Sequence, residues 1–148
     1  MKYTLASLVL FLGLGSQVAM AQAQDISSQA LLYVPGGQVV VLERDEVKVQ
    51  TTNGTIVEVE FTRKGVFEEA SGKNASSDNL TPPNALVPLA TALQGLQAAG
   101  KQAAGEWSLE SSLRYGWHYE FDGYENGVEM EYIVDATTGA FVKAIADN

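Results

Sequence analysis

The feature that most constrains this chain is a pair of alternating segments placed on either side of Asn126-Gly127. Trp117, Tyr119 and Phe121 alternate with His118, Glu120 and Asp122. Val128, Met130, Tyr132 and Val134 then alternate with Glu129, Glu131 and Ile133. A period of two belongs to a strand with one buried face. An Asn-Gly pair between such runs is the strongest short-range hairpin signal, because both central residues of the tight turn need positive φ. With Asn126 and Gly127 at those positions, Phe121 lies opposite Tyr132 and Tyr119 opposite Val134, on the core side. Asp122 then lies opposite Glu131, Glu120 opposite Ile133 and His118 opposite Asp135, on the other side. A slip of one residue would mix the two faces.

The flanking sequence extends this hairpin into a domain. The segment 85–99 carries Leu86, Leu89, Leu93 and Leu96 at spacings of three and four, an amphipathic helix. Asn84 can cap it, Pro88 falls in its first turn, and Gly100 can stop it. The segment 107–114 reads as a strand, 135–139 as a turn, and Phe141-Val142 as the start of a last strand. In the first half, 22–29 is polar and expected to fray. Leu31-Leu32-Tyr33-Val34 reads as a strand broken by Pro35-Gly36-Gly37. Further strands follow at 39–42 and 47–50, then at 56–61 beyond the Asn53-Gly54 turn. In the last of these Val57, Val59 and Phe61 share one face and Ile56, Glu58 and Glu60 the other. Gly65 marks another turn before Val66-Phe67. Residues 70–84 are rich in Ser, Asn, Gly and Pro and read as a loop or linker.

The expected class is therefore α+β: an antiparallel sheet with one helix packed across it, preceded by a β-rich N-terminal half. The expected division is 22–72, a linker at 73–84, and a domain at 85–148. The Asn53-Gly54 and Asn126-Gly127 hairpins echo one another, each followed by a strand of alternating valine and glutamate and then a glycine turn. The first half is thus either a degenerate copy lacking the helix or a β extension of the same sheet.

The N-terminus reads as an export signal. Lys2 precedes an apolar run at 5–14, half of the roughly 20 residues a membrane-spanning helix needs. Ala19-Met20-Ala21 supplies the small residues of a cleavage site, with Ala21-Gln22-Ala23 as a competing site two residues on, so 1–21 is expected to be removed and the product to be periplasmic or secreted. The chain contains no cysteine, which excludes disulfides, thiolate metal sites and a cysteine nucleophile. Its formal charge is −9, which argues against nucleic acid and anionic membrane surfaces as partners.

The strands Trp117-His118-Tyr119-Glu120-Phe121 and Gly127-Val128-Glu129-Met130-Glu131-Tyr132 lead into Val134-Asp135-Ala136-Thr137-Thr138-Gly139-Ala140-Phe141-Val142. With a helix ahead of them, these residues resemble a PepSY domain over roughly 85–147. The stretch ending in Thr138 and Gly139 resembles that family's closing signature. Here Asp135 can accept backbone N–H groups within the turn and Gly139 can take positive φ, which are turn-making roles. PepSY domains occur in the propeptides of thermolysin-like peptidases and in small exported proteins. The resemblance implies a non-enzymatic binding module that restrains or modulates a peptidase.

The residues themselves offer little chemistry of catalysis. There is one histidine, His118, on the expected solvent side opposite Asp135, where a surface His–Asp ion pair is the expectation. No nucleophile-elbow, His-Glu-x-x-His or phosphate-loop pattern is present. No cofactor is implied. Glu120, Asp122, Glu129 and Glu131 share one expected sheet face, which as an alternative suits calcium or a small ligand. The candidate partner-binding face is Tyr124, Glu129 and Glu131 at the hairpin tip, with Glu120 and Asp122. The aromatics Trp117, Tyr119, Phe121 and Tyr132 are expected in the core.

Overall fold

The computed structural model describes residues 25–147; the export signal expected at 1–21 lies outside them. Helix α1 covers 25–33. Four strands follow: β1 (Gln38–Leu42), β2 (Glu46–Gln50), β3 (Ile56–Phe61) and β4 (Phe67–Gly72). Helix α2 (Leu89–Ala98) then precedes β5 (Ala103–Ser112), β6 (Gly116–Glu125), β7 (Val128–Asp135) and β8 (Phe141–Ala146). All eight strands form one antiparallel sheet in chain order, with β4 paired directly to β5. Among the described residues, no helix is long and apolar enough to cross a membrane.

The α+β class holds, with two helices rather than one. Residues 25–29 do not fray and 31–34 do not form a strand. Ile26, Ala30 and Val34 are buried at spacings of four, the stripe of a helix that Pro35 and Gly36 terminate. Four successive apolar residues before Pro-Gly hid that period. The first half therefore does not lack a helix: each half runs helix, then four antiparallel strands.

The two halves agree in detail. The Gly65 turn between β3 and β4 and the Gly139 turn between β7 and β8 both have positive φ, 75° and 77°. Each meets its own helix. The Gln29 side chain donates to the Gly65 carbonyl at 3.3 Å. A Cβ added at Gly95 in α2 would lie 1.7 Å from the Gly139 carbonyl oxygen, so α2 approaches that turn as closely as only glycine permits.

Both helices cover the same face of the sheet. Val47, Val57, Leu109, Tyr119, Phe121 and Tyr132 are buried there against Ile26, Leu89 and Leu96 in one continuous core. The β6–β7 register is the expected one, with Phe121 opposite Tyr132 and Tyr119 opposite Val134. Trp117 is partly buried and stacks on Phe67, joining the two halves.

Two boundaries differ from expectation. Strand β4 runs to Gly72, the expected end of the first half, so residues 70–72 are strand rather than the start of the loop, because their outer edge pairs with β5. Helix α2 begins at Leu89, with Pro88 at the cap position and no side-chain cap from Asn84. Asn84 and Ala85 have φ of 62° and 57°, outside the helical range. The backbone that follows bonds elsewhere: the Val87 amide donates to the Ala136 carbonyl at 2.7 Å. The Tyr119 hydroxyl donates to the Val87 carbonyl, also at 2.7 Å.

The segment between β4 and α2 is packed into the molecule. Ala75 and Leu80 are buried in the core. The buried Asp78 carboxylate accepts the Trp107 indole N–H at 2.7 Å and the Asn74 amide at 3.1 Å. The Thr81 amide donates to the Tyr33 carbonyl at the end of α1.

Candidate functional site

The face turned away from the helices carries the side chains with chemistry. Strand alternation puts Glu120, Asp122 and Tyr124 of β6 on it, and the register adds Glu131 opposite Asp122 and Glu129 opposite Tyr124. The five residues of the sequence-derived face therefore lie together at one end of the sheet. The Tyr124 hydroxyl donates to Glu129 at 3.0 Å. Asp122, Tyr124, Glu129, Glu131 and Asp147 line a small cleft of about 120 Å³.

This face continues across the strands of the first half, which sequence reasoning missed. Glu46 pairs across from Glu60, and Glu60 from Glu69. The Ala70–Leu109 register sets Glu69 beside Glu110, which itself lies opposite His118. A parallel row runs from Glu58 through Ser71 and Ser108 to Glu120. The signal was present in the alternation of Glu58 and Glu60, but only the β4–β5 pairing shows that the two acidic faces are one. Glu58, Glu106, Glu120 and Asp122, with Lys73, border a groove of about 650 Å³ on it.

So many carboxylates on one surface resist ionisation. Partial burial, then repulsion from carboxylate neighbours, pushes Glu60, Glu69, Asp122 and Glu131 above their ordinary range. Glu110 is raised by burial and then by Glu120. Cations are sparse: Lys48 bridges Glu46 and Glu58 at 3.2 and 3.0 Å, and Lys73 lies 3.8 Å from Glu106.

His118 departs from expectation. It is on the predicted face and opposite Asp135, yet only 1% exposed. The Tyr115 ring packs edge-on against it, centroids 5.4 Å apart. Its partners are Glu120, 3.0 Å from Nε2, and Glu110 at 3.7 Å, rather than Asp135. The Asp135 carboxylate is engaged in its own turn. It accepts the Thr137 amide and hydroxyl at 2.7 and 2.6 Å and the Thr138 amide at 3.0 Å. These bonds, led by the Thr137 hydroxyl, hold its carboxyl below the usual range. Ile133, expected on the same outer side, is also fully buried there.

Residues 87–144, from just ahead of α2 into β8, match the PepSY family model, described as peptidase propeptide and YPEB domain. The C-terminal part of the chain thus carries a PepSY domain. Neither the curated proteins nor the solved structures gave a match to the chain.

Proposed function

We propose that this protein is an exported, non-catalytic module of PepSY type that binds and restrains a peptidase outside the cytoplasm. One observation carries the reading: the match of α2 and β5–β8 to a family described by its place in peptidase propeptides. Such domains are generally propeptide-like or regulatory rather than catalytic.

The acidic outer face supplies a surface suited to the role. One face of the sheet is taken by both helices, and the other is open, grooved and lined by carboxylates. A surface of one sign steers an oppositely charged partner and loses that advantage as salt rises. The partner is therefore a peptidase presenting lysine or arginine beside its substrate cleft. Contact centres on Glu120, Asp122, Tyr124, Glu129 and Glu131.

The test is a panel of secreted and envelope peptidases assayed with an excess of the purified protein. At least one is expected to lose activity, with the loss relieved by salt. Uniformly unchanged activity across the panel would contradict the proposal.

A further inference from the structure

His118 is the chain's one histidine, and its burial fixes what its two nitrogens can do. Nδ1 lies 2.8 Å from the Gly116 carbonyl oxygen. A carbonyl can only accept, so Nδ1 carries a hydrogen, which leaves Nε2 as the nitrogen that faces the acidic surface. Nε2 meets carboxylates alone. It points toward Glu120, 3.0 Å away, and Glu110, 3.7 Å away. Three electron-pair donors converge with ligand atoms all within 4.8 Å of one another. A proton on Nε2 satisfies the Glu120 contact, and with Nε2 deprotonated the three side chains form a ligand set for a metal cation.

We propose that Glu110, His118 and Glu120 bind one divalent first-row transition ion of the zinc class. Zinc sits about 2.0–2.1 Å from imidazole nitrogen and carboxylate oxygen, which sets adjacent ligands of a tetrahedron about 3.3 Å apart. The distances of 3.0 and 3.7 Å from Nε2 bracket that spacing. An imidazole whose other nitrogen is held by a backbone carbonyl is the usual oriented metal ligand. The nitrogen ligand also selects the ion, since calcium prefers all-oxygen shells while imidazole suits zinc, iron, nickel and copper.

The scaffold holds the three residues rigidly. Glu110 and His118 are direct cross-strand partners on β5 and β6, and Glu120 follows two residues on along β6. Glu120 is flanked across the next strand by the buried Ile133. The Tyr115 ring packs edge-on against the imidazole, and the Arg114 guanidinium lies over the Tyr115 ring, 5.2 Å from its centroid. One coordination position is left for solvent or a partner's side chain. The site stands independently of the peptidase proposal, since it rests on three side chains and not on the family match.

The experiment is a Zn²⁺ titration of tag-free, chelator-treated protein, followed by calorimetry and by the imidazole ¹⁵N resonances. The single histidine makes those resonances unambiguous. Zn²⁺ is expected to bind one to one and to shift Nε2 but not Nδ1, with no such shift from Ca²⁺. Glu110→Gln and Glu120→Gln are each expected to weaken binding by about tenfold or more. Both variants relieve repulsion and so keep the fold. Glu60→Gln, elsewhere on the same face, is expected to leave affinity unchanged. An unmoved Nε2 resonance, or equal affinity in the Glu110→Gln and Glu120→Gln variants, would overturn the site.

Discussion

At the scale of single residues, two side chains tie the outer turns to the core. Tyr119 is fully buried, and its hydroxyl closes on the Val87 carbonyl ahead of α2. Replacing it by phenylalanine keeps the packing but strands that carbonyl. Tyr119→Phe is expected to lower unfolding stability by about 1 kcal/mol, measured by urea denaturation. Asp135 holds the β7–β8 turn by accepting three hydrogen bonds. Asp135→Ala should likewise cost about 1 kcal/mol at neutral pH. Its carboxyl is depressed in the folded protein, so that contribution is present above the ordinary aspartate range and lost as pH falls through the depressed value. The difference between Asp135→Ala and the parent protein should therefore shrink in strong acid. The turn roles of Asp135 and Gly139 were readable, because Asp and Gly at those spacings have one local geometry. The burial of His118 was not. It depends on Glu110 and Tyr115 arriving from β5 and the adjoining turn, and strand alternation reports a face but not what covers it.

At the scale of elements, the β6–β7 hairpin was legible pair by pair, since two alternating strands and Asn126-Gly127 admit only one register. Helix α1 was not legible, because Leu31 to Val34 satisfy a strand and the last helical turn equally well. The start of α2 was misplaced because nothing local shows that Val87 bonds to Ala136 and Tyr119. The segment ahead of α2 reads as a linker by composition, yet Asp78 latches it to Trp107 across the sheet. Asp78→Ala leaves a buried indole N–H unpaired and is expected to cost about 1–3 kcal/mol. Limited proteolysis should then cut between β4 and α2 before any other site. Unaltered resistance there would show that the latch is not what holds the segment. Gly95→Ala should be worse tolerated than any exposed alanine substitution in α2, because its methyl group meets the Gly139 carbonyl.

At the scale of the whole molecule, two helix-plus-four-strand units share one sheet, with both helices on one face and the carboxylates on the other. Sequence reading found the acidic face of the second half. Its continuation through Glu58, Glu60 and Glu69 depends on the β4–β5 pairing between distant segments. Stability carries the mark of that face. Glu60, Glu69, Glu110, Asp122 and Glu131 bind protons more readily folded than unfolded, through burial and then mutual repulsion. Stability should therefore rise as pH falls from neutral toward the ordinary carboxylate range, and fall again below it as Asp135 is protonated. Added monovalent salt at neutral pH should also raise the melting temperature by screening. A melting temperature that falls steadily from pH 7 to pH 5 would contradict this picture of the face. The central claim is that this surface restrains a peptidase. Its most direct test is the inhibition constant of the protein against a susceptible peptidase, compared with the variant Asp122→Asn, Glu129→Gln, Glu131→Gln. The account predicts at least about tenfold weaker inhibition by the variant, which corresponds to about 1.4 kcal/mol of binding, with the fold intact. Equal inhibition by the two proteins would place the contact elsewhere and contradict it.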